Sequence, residues 1–358
     1  MHHQKEPLFY LARRVDMPRA TAWAIRLGSF VAAILIGGII FALLGHDPIS
    51  AYGSILTGSL GKKTALRQTV KIAVPLLGTA LAIAPCFRMR FWNIGAEGQI
   101  TAGAIGAAFF AINFGKTLPS PVLLPLMDIG GMVFGAACAF LPALFKAKWG
   151  TNETLFTLMM NYILIGLVKW LESSVWGARQ NIIPDFNKAA ILPKVLGVHC
   201  GWIIVLALTV FIYIYMNHTK HGYEIAVAGE SQNTARYAGM DVAKITIRTM
   251  LLSGAICGLV GYMVASGADQ TLHHDVAGGV GFTAITVAWL AQLNPFAMIV
   301  ISILLAILSK GANELQTRMQ VPTSISDIIT GIFLFCMLAC EFFINYRIII
   351  RHKEAAKQ

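Results

Sequence analysis

Apolar runs long enough to cross a hydrocarbon layer recur from one end of this 358-residue chain to the other. A spanning helix needs roughly 17–25 predominantly apolar residues. The sequence predicts ten such segments, near 22–45, 68–86, 95–114, 121–145, 153–172, 201–217, 246–267, 279–293, 295–310 and 324–346. Charged residues make up only 13% of the chain, against about 25% in soluble domains. The expected fold is an all-α polytopic integral membrane protein with about ten transmembrane helices (8–10), not a soluble domain with one anchor. Only Asn294-Pro295 parts the eighth and ninth segments, and Gly278-Gly279-Val280-Gly281 opens the eighth. A short or broken helix is therefore expected near 279–293.

The simplest organisation is a segment over 1–21, one transmembrane domain over 22–346 and a tail over 347–358. The first apolar run follows Arg13, Arg14 and Arg19, and no small-residue cleavage site closes it, so it reads as a span. Ten spans put both termini on one side. That side collects 17 of the Lys and Arg residues against 11 on the other, which favours cytoplasmic termini. Lys62, Lys63 and Arg67 pull the other way, and a flat amphipathic segment at 48–61 would account for some of this. The net charge of +11 then belongs to basic cytoplasmic loops, with no nucleic acid partner. The six cysteines are dispersed, form no CxxC pair and read as small buried hydrophobes.

Four polar stretches interrupt the apolar pattern. In Phe91-Trp92-Asn93-Ile94-Gly95-Ala96-Glu97-Gly98-Gln99, a carboxylate and two amides lie between two apolar segments. Ionisable groups at membrane depth are expensive and face protein or a water-filled path. Asn93 and Glu97 are four apart and would share a helical face, with Gln99 pointing elsewhere. They could line a pathway or brace a helix break; Glu97 could equally neutralise Arg88 or Arg90, or cap backbone groups. Small residues follow at Ala102, Gly103, Ala104, Gly106, Ala107 and Ala108, which reads as a tight helix–helix seam.

The second stretch places Glu153, Thr157 and Asn161 at i, i+4 and i+8, a polar stripe on an apolar helix. Asn161 could bond a polar substrate or a neighbouring helix, and Thr151 or Asn152 has the character of an N-cap. The third, 217–245, is the longest polar insert on the termini's side. A short helix from Ser231 or Gln232 to Tyr237, bounded by Gly229 and Gly239, suits docking into a partner better than a solvated loop does. The fourth, 172–200, with Trp176, Arg179, Asn181, Asp185 and Asn187, reads as a packed outer lid.

Other chemistry is not indicated. His273-His274-Asp275 offers adjacent histidines that diverge on a helix, with no further ligand nearby, so no metal is expected. Gly58 to Thr64 fails as a phosphate loop, because Leu56 stands where the first glycine should be and Lys63 follows Lys62. No nucleophile–base pair is visible.

Asn93-Ile94-Gly95-Ala96-Glu97-Gly98-Gln99 closely resembles the signature of permease subunits of bacterial ABC importers for nucleosides and related simple sugars, within the ribose/branched-chain amino acid permease superfamily. Asn152-Glu153 with Leu158-Met159-Met160-Asn161-Tyr162 looks like their second block. Asn233-Thr234-Ala235-Arg236-Tyr237-Ala238-Gly239 is similar to their coupling loop, and Gly281 to Leu290 with Asn294-Pro295 to their glycine-rich block. Trp289-Leu290-Ala291-Gln292 is bulkier and more polar than that pattern. The resemblance implies a transport subunit of the bacterial cytoplasmic membrane that binds no cofactor itself. A second related permease subunit would pair with it, an ABC ATPase carrying ATP-Mg would drive it, and an extracytoplasmic binding lipoprotein would deliver substrate. Asn93, Glu97, Gln99, Glu153, Thr157, Asn161 and Phe282 are then expected along the substrate pathway, and Gly229, Asn233, Arg236 and Gly239 in coupling to the ATPase. Amides and aromatic faces suit a nucleoside. A simple sugar such as ribose or galactose is the alternative substrate, and an ion-coupled secondary transporter using Glu97 the alternative mechanism.

Overall fold

The computed structural model describes residues 9–13, 18–177, 182–319 and 322–350. After the strand Phe9–Arg13 (β1) come the helices Arg19–Leu43 (α1), Pro48–Leu60 (α2), Lys63–Arg88 (α3), Ala96–Phe114 (α4), Ser120–Trp149 (α5) and Glu153–Trp170 (α6). A small hairpin of Lys194–Val195 (β2) and Val198–His199 (β3) precedes Gly201–His218 (α7), Lys220–Glu230 (α8), Gln232–Tyr237 (α9) and Val242–Met263 (α10). The chain then runs through Val280–Leu290 (α11), Pro295–Met319 (α12), Thr323–Asn345 (α13) and Tyr346–Ile350 (β4). The helix ends follow local chemistry. Asn152, Thr219, Ser231 and Asp241 each cap the helix that follows with a side-chain oxygen. Both α6 and α10 run on into a π-turn, at Leu171–Val175 and Val264–Ala268.

Among the described residues, seven helices are long and apolar enough to cross a membrane, those of α1, α3, α5, α6, α7, α10 and α12. The expected ten is not reached by that measure, and the shortfall has physical causes. The segment near 95–114 does form a 19-residue helix, α4, but Glu97, Gln99 and its glycines dilute its apolar character. The segment near 279–293 is the short helix anticipated, 11 residues long, about half of what a span requires. The apolar part of α13, Ile328–Ile344, is also short.

The chain divides into two compact units, residues 1–58 with 311–358, and residues 59–310. In the first, α1 packs along α13, with Phe30 edge-on to Phe333 at 5.8 Å. The Tyr52 hydroxyl of α2 donates to the Ile34 carbonyl at 2.6 Å, and β1 pairs antiparallel with β4, Phe9 opposite Ile350. In the second unit, α4, α5 and α10 form a kernel in which backbones meet directly. Gly103 of α4 faces Gly258 of α10, and Gly131 and Gly135 of α5 face Gly258 and Gly254; a Cβ at any of them would press on the facing backbone. This is the seam foreseen from the small residues after Gln99. α3 lies against α10, α11 and α7.

Candidate functional site

The polar network around the signature is built on the break between α3 and α4. Residues 91–94 are not helical, and α4 starts only at Ala96. Asn93 and Glu97 therefore do not share a helical face; Asn93 belongs to the break, where the spacing rule for helices has no force. Non-helical backbone at membrane depth must find partners inside the protein, and here the signature supplies them. The Asn93 side chain accepts from the Gly95 N–H at 3.1 Å and exchanges hydrogen bonds with the Gln99 amide at 3.1 and 3.2 Å. It also donates to Ser253 Oγ of α10 at 3.2 Å. Gln99 thus turns back on Asn93 instead of pointing elsewhere, because both amides are buried and each needs the other.

The polar stripe of α6 completes the work. Asn161 accepts from the Gly98 N–H at 2.8 Å and donates to the Ile94 carbonyl at 2.9 Å. Thr157 Oγ1 accepts from the Ile94 N–H at 3.3 Å and donates to the Glu153 carbonyl at 2.7 Å. Asn161 thus bonds the segment that opens α4, one of the two uses expected of it. Glu153, in the first turn of α6, pairs with Lys146 of α5 at 2.7 Å.

Glu97 fastens this break to a second one. Its two carboxylate oxygens accept from the N–H groups of Gly279 and Gly281, both at 2.7 Å. Those donors are the free end of α11, so a negative group sits where the helix dipole is positive. Gly279 has φ +75°, a left-handed conformation that glycine takes without strain. A Cβ on Gly281 would strike the Glu97 backbone. Glu97 is 5% exposed and caps backbone groups. Arg88 is held separately, by the Met216 carbonyl at 3.1 Å and Asn217 Oδ1 at 3.2 Å.

Beyond its pinned end, α11 turns Phe282 and Trp289 outward, 43% and 41% exposed. Trp289 stacks on Trp92 at 5.6 Å, and Phe87 closes the triangle at 5.6 and 5.9 Å. Of the residues expected along a pathway, Asn93, Glu97, Gln99, Thr157 and Asn161 form one buried network. Glu153 is engaged at the start of α6, and Phe282 stands apart with an open face. Sequence reasoning missed Ser253, a lone serine 160 residues from its partner, and Trp92, whose position beside Asn93 was its only signal.

The segment expected to dock is two helices. α9 runs over Gln232–Tyr237 as anticipated, with Ser231 Oγ accepting from the Thr234 N–H at 3.2 Å and Gly239 at φ +76° behind it. Asn233, Arg236 and Gly239 are exposed, and only Ala235 is fully buried in α9. Gly229 is buried in α8, where a Cβ would collide with the Arg88 carbonyl. Ile225, Ala228 and Ala235 pack with Cys86, Phe91 and Met250, so both helices sit on the ends of α3 and α10. Glu224 of α8 pairs with Arg248 at 2.8 Å, and that guanidinium holds its carboxyl below the usual range.

At the opposite ends of α6 and α10, residues 182–200 pack against the turn that follows α10. The Phe186 N–H donates to the Gln270 carbonyl at 2.8 Å, Ser266 Oγ to the Ala190 carbonyl at 2.5 Å, and Ile183 and Phe186 are buried. Arg179 and Asn181 lie outside the described residues. His273 meets Asp269 at 3.1 Å and His274 meets Glu172 at 3.0 Å. Among the described residues, no group of three or more His, Cys, Asp or Glu is arranged to hold a metal.

Residues 66–338 match the family model described as the permease component of the branched-chain amino acid transport system. The chain is 30% identical to a glucose ABC transporter permease protein of Haloferax volcanii, over 94% of this chain and 92% of that one. It is 29% identical to a nucleoside ABC transporter permease protein of Lactococcus lactis, over 93% and 96%. It is 29% identical to a guanosine ABC transporter permease protein of Bacillus subtilis, over 87% and 91%.

Proposed function

The chain belongs to the family of permease components of branched-chain amino acid transport systems, and from that premise we propose that it carries a nucleoside across the cytoplasmic membrane in an ATP-driven importer. It is a multi-pass ABC importer permease and not an enzyme; ATP hydrolysis belongs to a separate subunit. One observation carries the reading of mechanism: a buried carboxylate, Glu97, ties the break before α4 to the free end of the half-helix α11. Two helix breaks locked together are an element that can shift as one body. The network of Asn93, Gln99, Thr157 and Asn161 keeps that element in register, and Phe282 and Trp289 on its open face line the solute path. Exposed aromatic faces suit a nucleobase, and two of the relatives are named for nucleosides.

The full machine in this proposal has a second, related permease subunit as heterodimer partner, an ABC ATPase carrying ATP-Mg, and an extracytoplasmic binding lipoprotein. Both termini lie in the cytoplasm. Asn233, Arg236 and Gly239 present α9 to the ATPase, and Gly229 seats α8 against the Arg88 carbonyl beneath it. A second substrate reading, a simple sugar, is favoured by the glucose-named relative. Glu97 has both oxygens engaged by backbone, which leaves it ill-suited to couple an ion gradient.

Uptake of labelled guanosine, uridine, ribose and glucose by cells lacking this gene tests the proposal. Loss of nucleoside uptake that survives collapse of the ion gradient while ATP is maintained is the expected result. Loss of sugar uptake alone would replace the substrate, and loss that tracks the gradient would overturn the ATP-driven mechanism.

A further inference from the structure

A cleft of about 480 Å³ opens between α9, the start of α10 and the turn that ends α3, and its walls carry Arg90, Arg236, Lys146, Glu153, Asp241 and Gln232. Its charges do not cancel. Lys146 is spent on Glu153 at 2.7 Å. Asp241 caps α10 through the Lys244 N–H at 3.1 Å and pairs with the Lys244 ammonium at 3.2 Å. Among the described residues, Arg90 and Arg236 have no acidic partner, and both are exposed.

Arg90 also stands where backbone chemistry disfavours it. The Phe91 N–H donates to the Cys86 carbonyl at 2.9 Å and the Arg90 N–H to the Phe87 carbonyl at 3.0 Å. These two bonds close α3 with a Schellman turn, whose left-handed residue is normally glycine or asparagine. Arg90 fills it at φ +59°. A long side chain kept at a strained position points to a use for that side chain.

We propose that this cleft receives an acidic side chain of the ATPase subunit, clamped between Arg90 and Arg236. The inference rests on the ABC importer reading above and goes beyond a docking role for α9 alone. Two uncompensated guanidiniums in one recess are complementary to a carboxylate and match it in bidentate geometry. Arg90 lies three residues before Asn93, so a pull on it acts directly on the break that Glu97 ties to α11. Through Arg90 the clamp adds a second route from the ATPase to the half-helix, beside the one through α9.

The test uses the complete permease pair in nanodiscs, with binding of the purified ATPase and its solute-stimulated turnover as readouts. Arg90→Asn and Arg90→Gly suit the left-handed backbone better than arginine does, so Tm should hold or rise. ATPase affinity should nevertheless fall at least about tenfold, and its dependence on salt should flatten. Arg90→Lys keeps the charge but loses the bidentate fork, so its affinity should fall less than that of Arg90→Asn without returning to the parent's. Unchanged affinity in Arg90→Asn, with the parent binding normally, would overturn the clamp and leave the importer reading intact. Failure of the parent itself to bind any ABC ATPase would overturn the importer reading and the clamp with it. Arg90-dependent stabilisation of the permease alone by 10 mM inorganic phosphate would assign the cleft to a small anion instead.

Discussion

Glu97 concentrates more of the architecture in one side chain than any other residue of the second unit. Its two oxygens each accept a short backbone hydrogen bond in a buried site, which requires both to be acceptors and correctly aimed. Glu97→Gln preserves shape but presents an NH2 group to one of the two N–H donors. That leaves a buried donor unmatched, at a cost of about 1–3 kcal/mol. The expected outcome is a lower Tm in detergent together with loss of uptake, and a variant as stable as the parent would show that the carboxylate does not hold α11. The residue types at this site were legible in the sequence, because amides, a carboxylate and glycines stand out between apolar segments. Their partners were not. Gly279 and Gly281 lie more than 180 residues from Glu97, and no local spacing encodes so distant a bond. The helical-face argument for Asn93 and Glu97 failed for a related reason: it presumed a helix where the Schellman turn and the non-helical residues 91–94 had already broken one.

At the level of elements, α9 was readable because its signals are local: Ser231 as cap and Gly239 as stop. α8 was not, since Gly222, Gly229 and its charges argue against a helix, and burial of Ile225 and Ala228 overrides them. Ser231→Ala removes the cap of α9 and should cost that helix about 1 kcal/mol. With only Ala235 anchoring α9, the loss should be local. Weaker ATPase binding at an unchanged global Tm is the result to look for, and an equal loss of both would tie α9 to the core. The loop into α11 has its own condition. Asp269 raises the pKa of His273 by accepting its hydrogen bond, with the Asp275 and Glu172 charges adding to the effect. A raised histidine stabilises the folded state fully below the unfolded value, about 6.5, and that support fades as pH climbs through the higher folded value. Hydrogen exchange over 269–279 should therefore quicken between pH 6 and pH 8 beyond the intrinsic rate change. Asp269→Asn should erase most of that excess, and an excess that persists in it would assign the effect elsewhere.

For the molecule as a whole, the number of apolar runs set the class of fold, but it could not set which helices would touch. That choice is made by side-chain absence. α4 is too polar to count among the clear spans, yet it lies in the kernel, because Gly103 and Gly258 allow two backbones into contact and α5 joins them through Gly131 and Gly135. Without a hydrophobic force between helices in lipid, close packing of this kind is what selects neighbours. The kernel also fixes the functional network in space. Ser253 reaches Asn93 only if α10 lies against the start of α4, and that approach is set by the glycines one to two turns further along. Gly258→Val inserts a branched side chain where Gly131 and Met132 already press. Overpacking of a filled site costs about 1–3 kcal/mol when neighbours can shift, and the facing α5 backbone leaves little room to do so. The variant should lose transport although Asn93, Glu97 and Arg90 are unsubstituted, and should show a lower Tm than Glu97→Gln. Pairing it with Asn93→Ala separates packing from hydrogen bonding. If α10 has already moved away, Ser253 and Asn93 are uncoupled, and the second substitution should cost less than it does in the parent. Strict additivity would mean that the glycine seam and the polar break are independent, and that α10 is held in place by something other than its glycines.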